Sequence, residues 1–428
     1  MEKGSIYIHV PFCVQKCTYC DFYSLAGIGD RMAGYVDALC REIRMQAARL
    51  GEIRAETVYI GGGTPSLLEG KDISRILSVL RECMELSPTC EITMEGNPGT
   101  LREAALEEYR KAGVNRFSLG VQSFSDRLLR KLGRIHTAAQ AAEAVRMLRR
   151  AGFSNVNLDI MYGLPGQTES SFLETVGAAL TMSPEHLSCY SLIPEEGTEM
   201  GRRVFSGEVQ LPQEEVLLRM EEEMRGLLKQ NGYERYEISN YALPGKECRH
   251  NLVYWECEPY LGLGPGAHSD FGGRRFSHPA NLRGWMQAIN KKELFEEPED
   301  DGSPEKRRFD RMMMGLRMVR GVDLNRFVRD FGRRPEEIWP DTFREMRRLS
   351  MIRDELGSTR SVELSNLSID EETMPNDQNA ATSELDPTRS DRMQSPGPDK
   401  EERLALTEKG MDVMNAWLVR MMEEEEKG

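Results

Sequence analysis

The chain has 428 residues, 39% of them hydrophobic, and a formal net charge of −14 from 56 basic and 70 acidic side chains. That length predicts two or three domains with a sizeable core, and the acidity argues against a nucleic-acid partner held through phosphate contacts. No apolar run approaches the ~18 residues of a membrane span, and Met1-Glu-Lys-Gly-Ser carries no apolar targeting segment, so a cytoplasmic protein with reduced thiols is expected.

Residues 1 to about 235 alternate short apolar strands with segments of helical periodicity. Strands are expected at Ile6–Val10, Thr57–Ile60, Glu91–Glu95, Arg116–Gly120, Asn155–Asp159 and His186–Tyr190. Helices are expected at Tyr35–Leu50, Asp72–Met84, Leu101–Ala112, Ala138–Ala151 and Ser170–Leu180. Six such units make an α/β fold with a parallel sheet, curved into a partial barrel or wound open.

The first strand runs into Cys13-Val-Gln-Lys-Cys17-Thr-Tyr-Cys20. The spacing C-x3-C-x2-C supplies three thiolates to a four-iron cluster and leaves one iron without a protein ligand. Tetrahedral zinc fits poorly, because His9 precedes the cysteines on a strand rather than following them. A disulfide scaffold would need a short secreted chain. The other six cysteines are scattered.

The ends of the later strands are equally informative. Gly61-Gly62-Gly63-Thr64-Pro65 comes after the second, Glu95-Gly96-Asn97-Pro98 closes the third, and Val121-Gln122-Ser123 comes after the fourth. Asp159 ends the fifth, with Tyr162-Gly163-Leu164-Pro165 beyond it, and Ser191-Leu192-Ile193-Pro194 lies beyond the sixth. The carboxyl ends of parallel strands form one rim where ligands bind, so these loops converge on one pocket. Singly, the glycine run is consistent with a tight turn, Asp159 with a helix cap and Gln122 with a polar rim residue.

Gln213–Gln230 is an amphipathic helix and Tyr233–Tyr241 alternates like an edge strand. Next in the chain is Cys248-Arg-His250-Asn251-Leu-Val-Tyr254-Trp255. Tyr260-Leu-Gly262-Leu-Gly264-Pro-Gly266 is too rich in glycine for a helix and reads as a pocket-lining loop. Helices return at Lys306–Val319, Leu324–Phe331 and Pro340–Leu349, then short strands at Met351–Ile352 and Leu404–Leu406, and a last helix from Glu408. That order suggests a small winged-helix-like module. Its hairpin carries residues 358–402, with eleven acidic and four basic side chains and no aromatic residue, a composition expected to be disordered.

The cysteine motif, Gly61-Gly62-Gly63-Thr64-Pro65, Gly120-Val-Gln122-Ser123 and Tyr162-Gly163-Leu164-Pro165 resemble the radical S-adenosylmethionine superfamily, in the branch of oxygen-independent coproporphyrinogen III oxidase. The resemblance runs through nearly the whole chain except the acidic insertion. It implies a partial (β/α)6 barrel over residues 1–235, a pocket-lining extension over 236–302 and a mostly helical winged-helix-like domain over 303–428. It also implies that Cys13, Cys17 and Cys20 hold a [4Fe–4S] cluster, and that Tyr7, Tyr19, Phe22, Gly63, Thr64, Glu95, Gln122, Arg134 and Asp159 contact S-adenosyl-L-methionine, whose reductive cleavage gives a 5′-deoxyadenosyl radical. Gly63 would allow close backbone approach, Glu95 and Asp159 could accept hydrogen bonds from an ammonium or from ribose hydroxyls, and Arg134 could balance a carboxylate.

Within that branch the oxidases place a fourth cysteine two residues after the third and carry a longer segment before the motif. Here Phe22 occupies the cysteine position and six residues precede Tyr7. The chain is in these respects similar to the HemW family of heme chaperones, which shares the motif H-N-x-x-Y-W seen at His250–Trp255. The resemblance implies a protein that binds the cluster, S-adenosylmethionine and heme and passes heme to acceptor proteins, some of them membrane-bound respiratory enzymes, which allows peripheral membrane contact. It also implies an electron donor for the cluster. Radical decarboxylation of coproporphyrinogen III is the alternative, and no residue is assigned as catalytic. His250 is the candidate heme ligand; the residues alone also allow a structural histidine packed beside Trp255, or a Cys/His metal site with Cys248 and Cys257.

Overall fold

A computed structural model describes residues 2–299, 302–355 and 402–426. Most of the acidic segment expected at 358–402 therefore lies outside the described residues; Glu402, its last residue, pairs with Arg334 at 2.7 Å.

Six strands alternate with helices in the first half of the chain: β1 (Glu2–Val10), β2 (Ile53–Gly62), β3 (Glu85–Gly96), β4 (Arg116–Gln122), β5 (Val156–Tyr162) and β6 (His186–Ser191). They lie side by side in chain order, all parallel. The helices between them include α1 (Met32–Leu50), α2 (Gly70–Cys83), α3 (Glu103–Ala112), α4 (Asp126–Lys131), α5 (Ala138–Arg150) and α6 (Glu169–Thr181). Each turns an apolar stripe to the sheet, as in Ile73, Ile76, Leu77 and Leu80 of α2, which are all buried. Thr137 and Thr168 start α5 and α6 with reciprocal capping boxes, which fix where the crossovers begin.

The sheet is wider than six strands. Beyond β6 it is extended by β7 (Glu234–Arg235) and β8 (Asn240–Ala242). The expected strand at 233–241 is thus a broken hairpin, interrupted around the buried Glu237, whose carboxylate accepts from the Ser239 amide and the Asn240 side chain. On the other side the structure corrects the sequence reading, because Tyr260–Leu263 is not a loop. It forms a strand, β9, parallel to β1 on the edge that β2 leaves free, with Ile6 opposite Leu261 and Tyr7 opposite Gly262. Leu261 and Leu263 are fully buried. Gly262 belongs in this strand because the chain turns back at once: a Cβ there would lie 2.1 Å from the His268 carbonyl oxygen. Antiparallel strands β10 (His268–Phe271), β11 (Arg274–Ser277) and β12 (Glu297–Pro298) complete that side.

The carboxyl-terminal part forms a second core around Trp339, Phe327, Phe343, Met346 and Trp417. Helices α7 (Pro304–Arg317), α8 (Leu324–Phe331) and α9 (Pro340–Arg348) pack with a last helix, Met414–Glu425, around a small sheet. The two expected strands pair antiparallel as Ile352–Glu355 and Arg403–Leu406, and a third, Val322–Asp323, joins them between α7 and α8.

Candidate functional site

Side chains alternate along strands, so every second residue of β2 to β6 points to the concave face of the sheet. Tyr59, Glu95, Arg116, Ser118, Gly120, Gln122, Asn157, Asp159, Met161, Ser188 and Tyr190 line one cavity of about 360 Å³. Five adjacent strands laid flat would span about 20 Å; facing a single cavity requires that the sheet curve into a partial barrel. Cys13, Cys17, Cys20, Phe22, Gly63, Thr64 and Arg134 close its carboxyl-end rim.

The loop bearing the cysteines is pinned at both ends. Phe12–Cys13 pairs with Leu25–Ala26, and the Leu25 amide donates to the Pro11 carbonyl at 2.8 Å. Between them, the Thr18 amide donates to Leu132 O and the Met200 amide to Thr18 O, while Tyr19 packs against Leu128, Leu132 and Met200. His9 Nε2 donates to the Tyr23 carbonyl at 2.8 Å, with Tyr7 hydroxyl 3.0 Å from His9 Nδ1. The three thiols are unpaired and partly exposed. Thr64 Oγ1 donates to Cys13 Sγ at 3.5 Å and Arg134 Nη1 to Cys17 Sγ at 3.4 Å; burial raises the Cys20 pKa. The two donors suit anionic sulfur at Cys13 and Cys17, whereas burial at Cys20 favours the neutral thiol. Among the described residues no three His, Cys, Asp or Glu side chains converge on one metal ion, and an iron–sulfur cube does not ask for that, since each thiolate takes a separate iron.

Around the thiols the backbone is shaped for close approach. A Cβ on Gly63 would lie 2.6 Å from Phe12 O and 2.9 Å from Val10 O, so no larger residue fits. Gln122 has φ of +67°, in the left-handed region that side chains rarely adopt, at a register shift between β4 and β5. Such strain persists where the surroundings impose it, commonly at ligand sites. Arg134 donates to Cys17 Sγ, Asn97 Oδ1 and the Gly120 carbonyl; burial opposes its charge, but Tyr19, Cys17 and Asp159 hold its pKa above the usual value.

Two carboxyl groups face the cavity, and burial raises the pKa of both. Burial pushes Glu95 up to about 7, against hydrogen bonds from the Tyr59 hydroxyl at 2.7 Å and the Gly62 amide at 3.1 Å. Asp159 is also raised by burial, although Asn157 donates to it at 2.7 Å and Ser118 at 3.4 Å. Both gain by meeting a cationic or hydroxyl-bearing ligand.

Of the thirteen residues expected at the site, eleven border this cavity. Tyr7 and His250 do not. They stack behind the Tyr59 ring, with His250 centred 5.1 Å from it and Tyr7 at 6.2 Å. His250 is 1% exposed, with Nδ1 2.6 Å from Thr57 Oγ1 and Nε2 2.9 Å from the Tyr254 hydroxyl, and burial lowers its pKa to about 3. In this arrangement neither ring nitrogen is free for a ligand. The motif residue that does reach the cavity is its neighbour Asn251. Trp255 points the other way, under the Arg317 guanidinium at 4.4 Å. Cys248 donates to Glu91 Oε1 and Cys257 to the Asp310 carbonyl, so the two thiols do not share a site with His250. Arg116, Ser118, Asn157 and Ser188 carried no motif signal; strand periodicity, applied to both faces of β4, β5 and β6, marks them as inward.

Residues 7–179 match the family described as the radical SAM superfamily. The heme chaperone HemW of Lactococcus lactis subsp. lactis is 36% identical over 346 residues, covering 81% of this chain and 89% of its own length. HemW of Bacillus subtilis strain 168 is 34% identical over 349 residues, covering 81% and 92%, and that of Escherichia coli K12 is 42% identical over 289 residues, covering 66% and 75%. Coproporphyrinogen III oxidase (HemN) of Escherichia coli is similar in fold, with a TM-score of 0.73 at 20% identity over 98% of this chain and 90% of that one.

Proposed function

Because the chain belongs to the HemW family of the radical SAM superfamily, we propose that it binds a [4Fe–4S] cluster, S-adenosylmethionine and heme, and delivers heme to an acceptor protein. The observation that carries this reading is the extent of the likeness to heme chaperones, which covers 81% of this chain, while the superfamily match over residues 7–179 takes in the cysteine loop. The site is consistent with it. Cys13, Cys17 and Cys20 hold the cluster; Gly63 lets the ligand approach the backbone; Arg134 faces its carboxylate; and Glu95 and Asp159 take its ammonium and ribose hydroxyls. When bound, the cluster supplies an electron to S-adenosylmethionine. Phe22, 70% exposed at the rim, stands where the oxidases have a fourth cysteine. Among the described residues no helix is long and apolar enough to cross a membrane.

The test is transfer. Reconstituted protein loaded with heme is mixed with apomyoglobin, and the Soret band is followed as it moves to the acceptor. Failure of the protein to bind heme, or anaerobic conversion of coproporphyrinogen III to protoporphyrinogen IX, would replace this reading with another.

A further inference from the structure

Arg116 opens β4, at the amino end of the strand, six residues before Gln122 at the rim. At about 3.3 Å per residue its backbone lies about 20 Å below the rim, so its side chain forms the floor of the cavity. It is 1% exposed, yet it borders the cavity. Its backbone pairs in the sheet opposite Thr93, but among the described residues its side chain makes no hydrogen bond and no ion pair, and its Nε is buried without a partner. Arginine so deeply buried is ordinarily paired, because an uncompensated cation in a low-dielectric site is strongly unfavourable.

Three carboxylates lie near enough to feel the charge, and each is occupied by other donors. Glu91 accepts from Cys248 Sγ and from the Arg249 and His250 amides at the start of the helix Arg249–Trp255. Glu95 is held by Tyr59 and Gly62, and Asp159 by Asn157 and Ser118. The guanidinium therefore keeps its donors for something that enters. Asn251 borders the same cavity with a side chain that makes no hydrogen bond among the described residues.

We propose that Arg116 and Asn251 form a carboxylate subsite on the cavity floor, which receives a propionate arm of the tetrapyrrole. A planar guanidinium matches a carboxylate with two parallel N–H donors, and an adjacent amide adds a third. The subsite lies below the rim residues assigned to S-adenosylmethionine, so one cavity holds two ligands at different depths. This inference rests on the heme-binding reading above and adds which end of the ligand enters first.

The experiment titrates the reconstituted protein with heme and with heme dimethyl ester, which has the same macrocycle and no carboxylate, by the Soret band. S-adenosylmethionine affinity is measured in parallel. The wild type should bind heme about tenfold more tightly than the ester, the size of one charge-assisted pair. Arg116→Gln should abolish that preference while leaving affinities for the ester and for S-adenosylmethionine unchanged, and Arg116→Lys should keep part of it. Equal binding of heme and ester by the wild type overturns the subsite, even if Arg116→Gln does not fold. So does a Gln variant that weakens both heme forms alike, which marks a structural role, or one that weakens S-adenosylmethionine alone, which assigns the guanidinium to the methionyl carboxylate. Binding of neither heme form by the wild type is the separate outcome that removes the heme reading itself.

Discussion

Replacing His250 by alanine distinguishes a structural histidine from a heme ligand. The imidazole fills a site that is 1% exposed, between Tyr59 and Tyr254 at ring distances of 5.1 Å each. Its removal strands the Thr57 and Tyr254 hydroxyls, at about 1 kcal/mol each, the low end because hydroxyls can rotate toward new partners. Emptying the space beyond Cβ costs about 2 kcal/mol more. The expected loss is about 4 kcal/mol, a large share of the roughly 5–15 kcal/mol that holds a typical protein folded. Equilibrium urea unfolding of the protein without cluster, S-adenosylmethionine or heme reads it directly. If His250→Ala unfolds within about 1 kcal/mol of the wild type, the size of a single lost hydrogen bond, while the heme-loaded form loses its Soret band, the reasoning is refuted and the imidazole serves the iron.

Glu95 gives a pH signature. Its pKa in the folded protein, about 7, lies above the ordinary 4.5, so the stability it contributes is present below pH 4.5 and lost as pH rises through 7. The shift corresponds to about 3 kcal/mol, reduced to about 2 kcal/mol by solvent in the open cavity. Glu95→Gln should therefore gain about 2 kcal/mol on the wild type between about pH 4 and pH 8 in urea titrations; parallel curves would contradict it. Arg134→Ala should weaken S-adenosylmethionine binding about tenfold to a hundredfold by calorimetry, the range expected for a charge-assisted hydrogen bond, and an unchanged affinity would remove Arg134 from the site. In Gly63→Ala the new methyl meets two backbone oxygens that cannot move aside, so iron incorporation after reconstitution should fall steeply; a full complement would show that the loop has more room.

Much of this site was legible in the sequence because its parts sit at equivalent strand ends. Once β1 to β6 are parallel and in order, Cys13, Gly63, Glu95, Gln122 and Asp159 must meet. The strand at Tyr260–Leu263 was not legible, since closely spaced glycines hide the alternation and its partner β1 lies at the other end of the barrel sequence. His250 is ambiguous in the sequence for a related reason. A histidine beside tyrosine and tryptophan has the same local sequence whether it faces a ligand or a wall, and its contacts with Thr57 and Tyr59 come from a distant strand. Arg116 showed nothing in sequence, because an arginine opening a strand is unremarkable until the fold encloses it.

The position of β1 between β2 and β9 sets an order of assembly. The strand that leads into the cysteines is made early, yet one of its edges stays unpaired until Tyr260–Leu263 has emerged. The brace on the cysteine loop comes later still, when the Leu282 amide donates to the Tyr23 hydroxyl and Gly266 packs under that ring. At about 5–20 residues per second these partners trail the cysteines by about 13 to 50 seconds of synthesis. During that interval the thiols stand on an incomplete sheet, and a metal centre that needs the finished loop waits until Leu282, about two-thirds of the way along the 428 residues, has been made.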